Sequence, residues 1–328
     1  HGRRVDAAML RAAMEQSFGA SDTSGAWTWK TAYDASEAAA VMFLRKYGKT
    51  ILRKAGTASA ALPIFTKIAN ILPTHTRRSE DSQTFQQFST PLPLGLAALT
   101  AAAILPGDSV LEPSAGTGLL AVLAETSGST LMLNEFADTR AGVLTHLFPD
   151  TPVTRFDAAQ IDDHLDRAIV PTVVLMNPPF SVLANVNGRV ADAACRHLSS
   201  ALARLGDGGR LVAITGVGFA PDTSTWREAF ERLQARGRGV FSAAINGAVY
   251  AKHGTSIETR LTVIDKVPAD DPMQFPASPG MAPDIATLLG WIGTHVPPRP
   301  PCSAAQAPAR TMSSPASRMR RATTRRVS

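Results

Sequence analysis

The chain has 328 residues, of which 45% are hydrophobic, and this fraction supplies a packed core and excludes a wholly disordered protein. It has 33 basic and 27 acidic side chains, a formal net charge of +6, and only two cysteines, Cys195 and Cys302. So few cysteines exclude a disulfide scaffold and a multi-cysteine zinc module.

The sequence shows no targeting or membrane signal. No uninterrupted apolar run reaches the ~18 residues that a membrane helix needs, and no basic segment followed by an apolar stretch opens the chain. We therefore expect a soluble, cytoplasmic protein. Because the chain begins with His1 rather than Met, we expect a fragment of a longer protein.

The charge is unevenly distributed along the chain. Residues 1–81 carry a net charge of +5 and residues 82–284 carry −6, whereas residues 285–328 contain seven Arg residues and no acid, a net charge of +7. Attraction to nucleic-acid phosphate is therefore expected from the two ends of the chain rather than from its middle.

The first predicted unit, residues 1–84, is a helical extension. Apolar residues recur at three- and four-residue spacing over residues 5–16 and 35–47, which predicts two helices. Three aromatic residues lie between them: Trp27, Trp29 and Tyr33. Packing between helices is the simplest role for these side chains. A base-stacking surface beside the basic residues that follow is the alternative.

The second predicted unit, residues 85–266, alternates short apolar runs with helical stretches, which indicates βαβ units and a mainly parallel sheet. The predicted strands are Ser109–Glu112, Thr130–Asn134, 153–156, 172–176 and 210–215, closed by a pair at 240–245 and 258–265. The predicted helices are Leu119–Thr126, 137–148, 191–205 and 225–236.

The third predicted unit, residues 267–328, is a Pro/Arg-rich tail. Eleven prolines lie between Pro268 and Pro315, and such a composition favours a largely disordered segment. One short apolar stretch, residues 285–292, could dock as a helix.

The first motif with chemical meaning is the segment Glu112-Pro113-Ser114-Ala115-Gly116-Thr117-Gly118, where a strand turns into a helix. Gly116 and Gly118 allow the backbone to approach a ligand at the helix N-terminus. Glu135 follows at the distance where an acid binds ribose hydroxyls. This glycine spacing fits a nicotinamide dinucleotide, S-adenosylmethionine or a purely structural turn.

The second motif, Asn177-Pro178-Pro179-Phe180, follows a buried apolar strand. The two prolines end the strand and fix the backbone. The Asn177 amide and the Pro178 carbonyl then offer two acceptors at the carboxyl edge of the sheet, and Phe180 offers a face for a planar ring. Two acceptors aimed at an exocyclic amine suit methyl transfer to nitrogen.

Together the two motifs resemble those of the class I S-adenosylmethionine-dependent methyltransferases, in particular the amino-group (adenine-N6) DNA methyltransferases, over roughly residues 85–266. The resemblance implies a Rossmann-like α/β fold with a mainly parallel, seven-stranded sheet whose last strand is antiparallel. It also implies S-adenosyl-L-methionine as the cofactor.

The resemblance also implies roles for single residues. Gly116 and Gly118 would line the methionine part of the cofactor, with Glu112 nearby. Glu135 would bind the ribose, and Asp157 the adenine amino group. The full set implied for the cofactor is Phe88, Thr90, Pro91, Glu112, Pro113, Ser114, Ala115, Gly116, Gly118, Glu135, Asp157, Ala158 and Asn177. The set implied for substrate and catalysis is Asn177, Pro178, Pro179 and Phe180.

Three further segments resemble the methylase-like regions of bacterial strawberry-notch-like methylase/helicase proteins: Trp27-Thr-Trp29, Gln87-Phe-Ser-Thr-Pro91 and Ala251-Lys-His-Gly-Thr255. Those proteins carry a helicase region after the methylase-like part. The resemblance therefore implies a helicase region or partner that this chain does not contain.

The expected reaction is direct transfer of a methyl group to an exocyclic nitrogen, with adenine N6 in DNA as the favoured target. RNA amines and protein glutamine amides are alternative substrates. A catalytically silent binding module in a helicase assembly is an alternative from another class. A dehydrogenase is the weakest alternative, because it leaves Asn177–Phe180 unexplained. No metal is expected, because the sequence shows no cluster of His, Cys and Asp ligands.

Three single residues are given structural roles. A turn role for His253 is favoured over substrate contact, because a lone His is weak evidence for chemistry. Tyr250 is predicted to lie in the core of an edge strand, with packing against a target base as the alternative. Cys195 is predicted to be a small buried apolar residue of a helix.

Overall fold

A computed structural model describes residues 3–76, 89–179 and 193–302. Within this part of the chain, eight strands form one mixed sheet. They are β1 (Ser109–Glu112), β2 (Thr130–Asn134), β3 (Val153–Thr154), β4 (Val173–Met176), β5 (Arg210–Gly216), β6 (Arg238–Ile245), β7 (Thr259–Asp265) and β8 (Met281–Ala282). Their order across the sheet is β3-β2-β1-β4-β5-β7-β6-β8.

Helices cover this sheet and precede it. They are α1 (Ala7–Phe18), α2 (Trp29–Ala55), α3 (Ala58–Ile71), α4 (Leu92–Ala102), α5 (Leu119–Thr126), α6 (Asp138–Leu147), α7 (Ile161–His164), α8 (Ala193–Arg204), α9 (Arg227–Gln234) and α10 (Ile285–His295). Short 3-10 helices occur at Asp22–Ser24, Ala158–Gln160 and Gly247–His253. None of the helices in the described ranges has the length and apolar character needed to cross a bilayer.

The sheet confirms the predicted Rossmann-like methyltransferase fold. Strands β1 to β5 pair in parallel, and β7 runs antiparallel between β5 and β6. Every residue of β4 is buried, as expected of a central parallel strand covered by helices on both faces. The predicted number of seven strands is wrong, because β8 adds a short parallel strand beside β6. β8 has only two residues and follows a stretch that contains Pro and Gly. It therefore shows no alternating pattern from which a strand could be predicted.

The helical extension belongs to the same core as the sheet. Val41 and Leu44 of α2 and Phe65 of α3 are fully buried in one apolar cluster with residues of α4, α5 and α6. The predicted boundary at residue 84 lies outside the described residues. Since the helices share a core with the sheet, they form part of the wall behind the sheet's carboxyl edge.

The aromatic cluster of the extension packs inside it. Trp27 and Tyr33 are buried, and the Trp29 ring lies 5.7 Å from Trp27 and 5.8 Å from Tyr33. The Trp27 indole N–H donates to the Ala20 carbonyl at 3.0 Å. This arrangement confirms packing between helices and contradicts a base-stacking surface, which would need exposed ring faces.

The fold does not end at residue 266, and the expectation of a disordered tail is wrong for residues 267–302. β8 extends the sheet, and α10 buries Ile285, Leu288 and Ile292 in the core cluster that also contains α4. The rest of the predicted tail, residues 303–328, lies outside the described residues.

Arginine pairs fix the end of this segment. The Arg299 guanidinium donates two hydrogen bonds to Asp108, at 2.8 and 2.9 Å. The fully buried Arg210 binds Asp265 at 2.7 and 3.0 Å and donates to the Pro297 carbonyl at 3.0 Å. Prolines prevent regular hydrogen bonding here, but these side-chain bonds anchor the extended backbone without it.

Candidate functional site

A cavity of about 280 Å³ opens at the carboxyl ends of β1, β2 and β4. In an open α/β sheet, ligands bind at the carboxyl ends of the strands, at the point where the order of the strands across the sheet reverses. Here that point lies between β1 and β4. Twelve of the residues proposed from the sequence line it: Thr90, Glu112, Pro113, Ser114, Ala115, Gly116, Glu135, Asp157, Ala158, Asn177, Pro178 and Pro179. The structure therefore brings both sequence motifs to one cavity.

The two glycines of the turn after β1 have different surroundings. Both have positive φ angles, +57° at Gly116 and +88° at Gly118. A Cβ atom built at Gly116 would have Arg140 Nη1 as its nearest neighbour, at 3.9 Å. A Cβ atom at Gly118 would lie 2.6 Å from Phe148 Cε2. Gly116 lines the cavity, whereas Gly118 does not and instead allows α5 to pack closely against Phe148.

Glu135 holds the turn after β1 to the end of β2. Its Oε2 accepts the Gly116 N–H at 2.8 Å, and its Oε1 accepts the Ala137 N–H at 2.9 Å. Each carboxylate oxygen has a second acceptor site, so two hydroxyl groups could still donate to this side chain.

Asn134, which the sequence analysis missed, fastens the same edge. Its amide nitrogen donates to the Pro113 carbonyl at 2.8 Å and to the Phe156 carbonyl at 3.0 Å, and its Oδ1 accepts the Phe156 N–H at 2.8 Å. The side chain thus fixes the loops after β1 and β3 to the end of β2. An Asn at the end of a predicted strand, directly before Glu135, was the available signal.

Glu112 is a buried carboxyl group at the end of β1. Its pKa is raised well above the usual value, mainly because burial disfavours the charged form and partly because Glu135 is negative, against a hydrogen bond from Ala121. Its Oε2 has no hydrogen-bond partner among the described residues. A buried polar atom without a partner is unfavourable, so this oxygen is ready to bind a donor that enters the cavity.

The Asn177-Pro178-Pro179 segment begins where the fully buried β4 ends at Met176. The Asn177 Nδ2 donates to Thr90 Oγ1 at 3.0 Å, which joins this segment to the loop before α4.

Of the other residues of the predicted site, Pro91 has a different position. Pro91 precedes α4 and lines the neighbouring cavity rather than this one. Phe88 and Phe180 lie outside the described residues. Asp157 is exposed at the cavity rim, where its Oδ1 accepts the Ala159 N–H at 2.9 Å and caps the short helix that begins at Ala158.

The cavity also contains residues that were not predicted. Phe136 follows Glu135 and leaves 69% of its surface exposed at the cavity. His197 of α8 lines the opposite wall, and burial lowers its pKa although the negative charge of Asp157 opposes this. The unpredicted lining also includes Ser89, Thr117, Leu119, Leu120 and Arg140. An aromatic residue directly after Glu135 was a usable signal for Phe136.

Among the described residues, Arg140 of α6 is the one arginine in the lining of this cavity. Its Nη2 lies 3.0 Å from Asp34 Oδ1 on α2. Burial alone would lower its pKa, but the charges of Asp34 and Glu37 outweigh burial and raise it, so Arg140 is charged. Sequence reasoning could not find it, because its partner lies 106 residues away.

Glu37 of α2 lies behind the turn. Its Oε2 accepts the Ser89 hydroxyl at 2.8 Å and the Thr117 hydroxyl at 2.7 Å. Burial, followed by the negative charge of Asp34, raises its pKa to about 7, although Arg140 and the two hydroxyl groups oppose the rise. Glu37 lines a second cavity of about 320 Å³, which shares Thr90 and Leu119 with the first cavity.

Two of the remaining single residues, Cys195 and His253, lie in the elements predicted for them, but the strand predicted for Tyr250 is wrong. Tyr250 is fully buried, but it lies in a 3-10 helix rather than in an edge strand, and burial raises its pKa. Cys195 is buried within α8. His253 ends the same 3-10 helix as Tyr250, and Gly254 follows it with a φ of +68°.

Comparison with known proteins identifies similar folds at low sequence identity. No protein-family model and no curated protein matches the sequence. A candidate type I restriction modification subunit from Vibrio vulnificus is 18% identical, with 55% of this chain and 44% of that chain covered and a TM-score of 0.47. TrmN from Thermus thermophilus is 20% identical, with 53% and 49% covered and a TM-score of 0.40.

A candidate class I S-adenosylmethionine-dependent methyltransferase from Listeria monocytogenes is 13% identical, with 73% of this chain and 78% of that chain covered and a TM-score of 0.49. This chain spans less than half the length of the Vibrio vulnificus and Thermus thermophilus proteins. The strand order and the antiparallel β7 decide the fold. The chain has the class I methyltransferase fold. Its activity has to be inferred from the residues of the cavity.

Proposed function

We propose that this chain binds S-adenosyl-L-methionine and transfers its methyl group to an exocyclic amino nitrogen, adenine N6 in DNA. The observation that carries the proposal is the meeting of Asn177, Pro178 and Pro179 with the turn after β1 and with Glu135 in one cavity. A dinucleotide site would need the glycine turn and the acid, but it would leave the Asn-Pro-Pro segment without a function.

The polar groups of the cavity fit this cofactor. Glu135 has acceptor sites for ribose hydroxyls, and the exposed Asp157 stands where an amino group could donate to it. The unpartnered Oε2 of Glu112 suits a donor such as the ammonium group of an amino acid. The acidic side chains of Glu135 and Asp157 also favour a cofactor whose sulfonium carries a positive charge. Phe136 offers an exposed ring for stacking against adenine.

The bound cofactor would supply a methyl group on a positively charged sulfur, which makes the methyl carbon electrophilic. The protein's part is to orient the amine. The Asn177 oxygen and the Pro178 carbonyl would accept the two amine hydrogens, which directs the nitrogen lone pair at the methyl carbon. The C–N bond forms as the C–S bond breaks, and the amine proton leaves to solvent.

Charge and exposure support a nucleic-acid substrate. Lys46 and Lys49 are exposed on α2, and Phe43 and Tyr47 are 42% and 43% exposed beside them. Basic residues bind phosphate, and exposed aromatic rings can stack on bases. A base in duplex DNA would have to be flipped out of the helix at a cost of a few kcal/mol.

The test is transfer of a tritiated methyl group to DNA, RNA and protein, followed by mass identification of the product. Asn177→Ala should abolish transfer while leaving cofactor affinity by calorimetry within about twofold, a change worth about 0.4 kcal/mol. Asn177→Asp, which keeps acceptor oxygens but loses the donor to Thr90, should retain weak activity.

Each result of this test has a defined meaning. N6-methyladenine from DNA supports the full proposal, and product from RNA or protein alone moves the substrate to the alternative class. Loss of cofactor affinity in Asn177→Ala refutes the role of Asn177 in holding the amine. If the wild-type chain gives no heat with the cofactor, the fold serves as a binding module, such as one in a helicase assembly.

A further inference from the structure

Three side chains with metal-binding atoms meet in the second cavity. Glu37 comes from α2, His75 follows α3, and His253 ends the 3-10 helix Gly247–His253. One ligand atom from each of them lies within 4.8 Å of the other two. Glu37 Oε1 and His75 Nε2 are 3.9 Å apart. These residues are far apart in sequence, so folding has to bring them together.

Neither imidazole is exposed, and both lie in the cluster with the buried Glu37. An imidazole nitrogen without a proton has a lone pair for a metal ion. The Nδ1 atom of His253 is buried and has no hydrogen-bond partner among the described residues.

The surrounding structure holds the two histidines in place. The His75 ring stacks on Tyr33 with 4.1 Å between ring centroids, and the His253 ring lies edge-on to His75 at 5.0 Å. The backbone N–H of His75 donates to the backbone carbonyl of Lys252 at 2.9 Å. A Cβ atom at Gly254 would lie only 2.1 Å from the His75 carbonyl oxygen. Only glycine permits this close approach, so the two backbone segments are fixed against each other.

Glu37 is fixed in a similar way. The Ser89 and Thr117 hydroxyls hold its Oε2, which leaves Oε1 as the oxygen that faces His75. Hydrogen bonds to the outer oxygen of a ligating carboxylate are the usual means of orienting it toward a metal ion.

We propose that Glu37, His75 and His253 bind one zinc ion, with a water molecule from the second cavity as the fourth ligand. Two imidazole nitrogens and one carboxylate oxygen are a donor set that zinc accepts, whereas magnesium and calcium require mainly oxygen ligands. Tetrahedral ligands at about 2.1 Å from an ion lie about 3.4 Å apart. Side-chain movements of about 1 Å would close the observed site to that spacing.

The ion would tie three parts of the fold together: α2, the segment after α3 and the loop between β6 and β7. Ser89 and Thr117 line the first cavity and donate hydrogen bonds to Glu37. By fixing Glu37, the ion would also stabilise the positions of these two side chains. The zinc proposal does not rest on the methyl-transfer proposal, because none of the three ligands lines the first cavity.

The test uses the full chain after treatment with a chelator and dialysis. Zinc affinity is measured by competition with a chromophoric chelator, and cobalt is added separately as a spectroscopic probe. We expect one ion per chain and the intense visible absorption of four-coordinate cobalt. His75→Gln, His253→Gln and Glu37→Gln should each weaken zinc binding at least about 100-fold, the upper end of the loss caused by removing an outer-shell partner. The matched control, His295→Gln, alters an exposed histidine in α10 and should change nothing.

Folding of the variants is checked by circular dichroism. If they fail to fold, X-ray absorption of the zinc-loaded wild-type chain decides the question. Two imidazoles with oxygen ligands support the proposal, whereas sulfur ligands or an all-oxygen shell overturn it. Absence of stoichiometric binding, or equal affinity in the wild type and all three folded variants, also overturns it.

Discussion

The two glycines of the turn after β1 should respond differently to the same substitution. Gly116→Ala and Gly118→Ala each place an alanine at a positive φ angle, which costs about 1–2 kcal/mol. Only at Gly118 does the added methyl group collide with the core, 2.6 Å from Phe148 Cε2 and 3.0 Å from Leu144 Cδ2. The pair therefore separates backbone strain from steric overlap.

The structure sets the size of the difference. Phe148 and Leu144 are 1% and 0% exposed, so neither side chain can turn away into solvent. Inserting a methyl group into such a core costs a further ~1–3 kcal/mol. Gly118→Ala should thus lower the free energy of unfolding by roughly 2–5 kcal/mol, and Gly116→Ala by roughly 1–2 kcal/mol.

The loss of cofactor affinity should follow the opposite order, with the larger loss in Gly116→Ala. Gly116 lines the first cavity, so its added methyl group should weaken S-adenosylmethionine binding by about tenfold or more. Gly118→Ala should bind the cofactor normally wherever it is folded. Urea unfolding and calorimetry measure the two quantities, and Phe148→Leu should restore part of the stability lost in Gly118→Ala. Equal stability losses, or a loss of cofactor affinity in folded Gly118→Ala alone, would refute this division of roles.

Other expected outcomes concern the C-terminal part of the chain and its contacts. Arg299→Ala leaves the buried Asp108 without its ion pair, at a cost of about 2–3 kcal/mol in urea unfolding because the Leu105 N–H and the Thr172 hydroxyl remain as partners. Arg238→Ala, the exposed control, should cost less than about 1 kcal/mol. Burial raises the pKa of Asp108, but its hydrogen bonds and Arg299 outweigh burial and lower it. The stability that Asp108 contributes is therefore complete above about pH 4 and lost as pH falls through its folded pKa, a loss that Asp108→Asn should not show. Ending the chain at residue 302 removes six Arg residues and leaves 27 basic and 27 acidic side chains, so DNA affinity and its salt dependence should both fall in filter binding while the melting temperature stays unchanged.

Local pattern explains which elements could be predicted. The bounds of β1, β2 and α5 follow from apolar runs that end at turn glycines or at polar residues. The meeting of the two motifs also follows from sequence, because the carboxyl ends of parallel strands share one edge of the sheet. Asn177 therefore reaches the turn after β1 although the two are about 60 residues apart.

Long-range contacts explain what could not be predicted. Arg140 is placed by Asp34 on another helix, and no local pattern relates the two positions. The meeting of Glu37 with His253 depends on how α2 packs against the loop after β6. Gly118 shows a further limit, because spacing alone does not separate a glycine that faces a ligand from one that faces a phenyl ring. At the chain end, composition predicts disorder, but single pairs such as Arg299 with Asp108 override it.

The distribution of charge assigns different ligands to different parts of the molecule. The first cavity is lined by the acidic side chains of Glu135 and Asp157, and the charge of Arg140 in its lining is paired with Asp34. This arrangement favours a positively charged cofactor over phosphate. The exposed basic groups lie elsewhere, on the exposed side of α2, and further Arg residues belong to residues 303–328 of the sequence. Contacts between exposed charges are screened by salt, whereas contacts inside a cavity are screened far less. Under the proposed function, the two basic ends of the chain attract the polyanion, and the acidic middle of the chain carries out the chemistry.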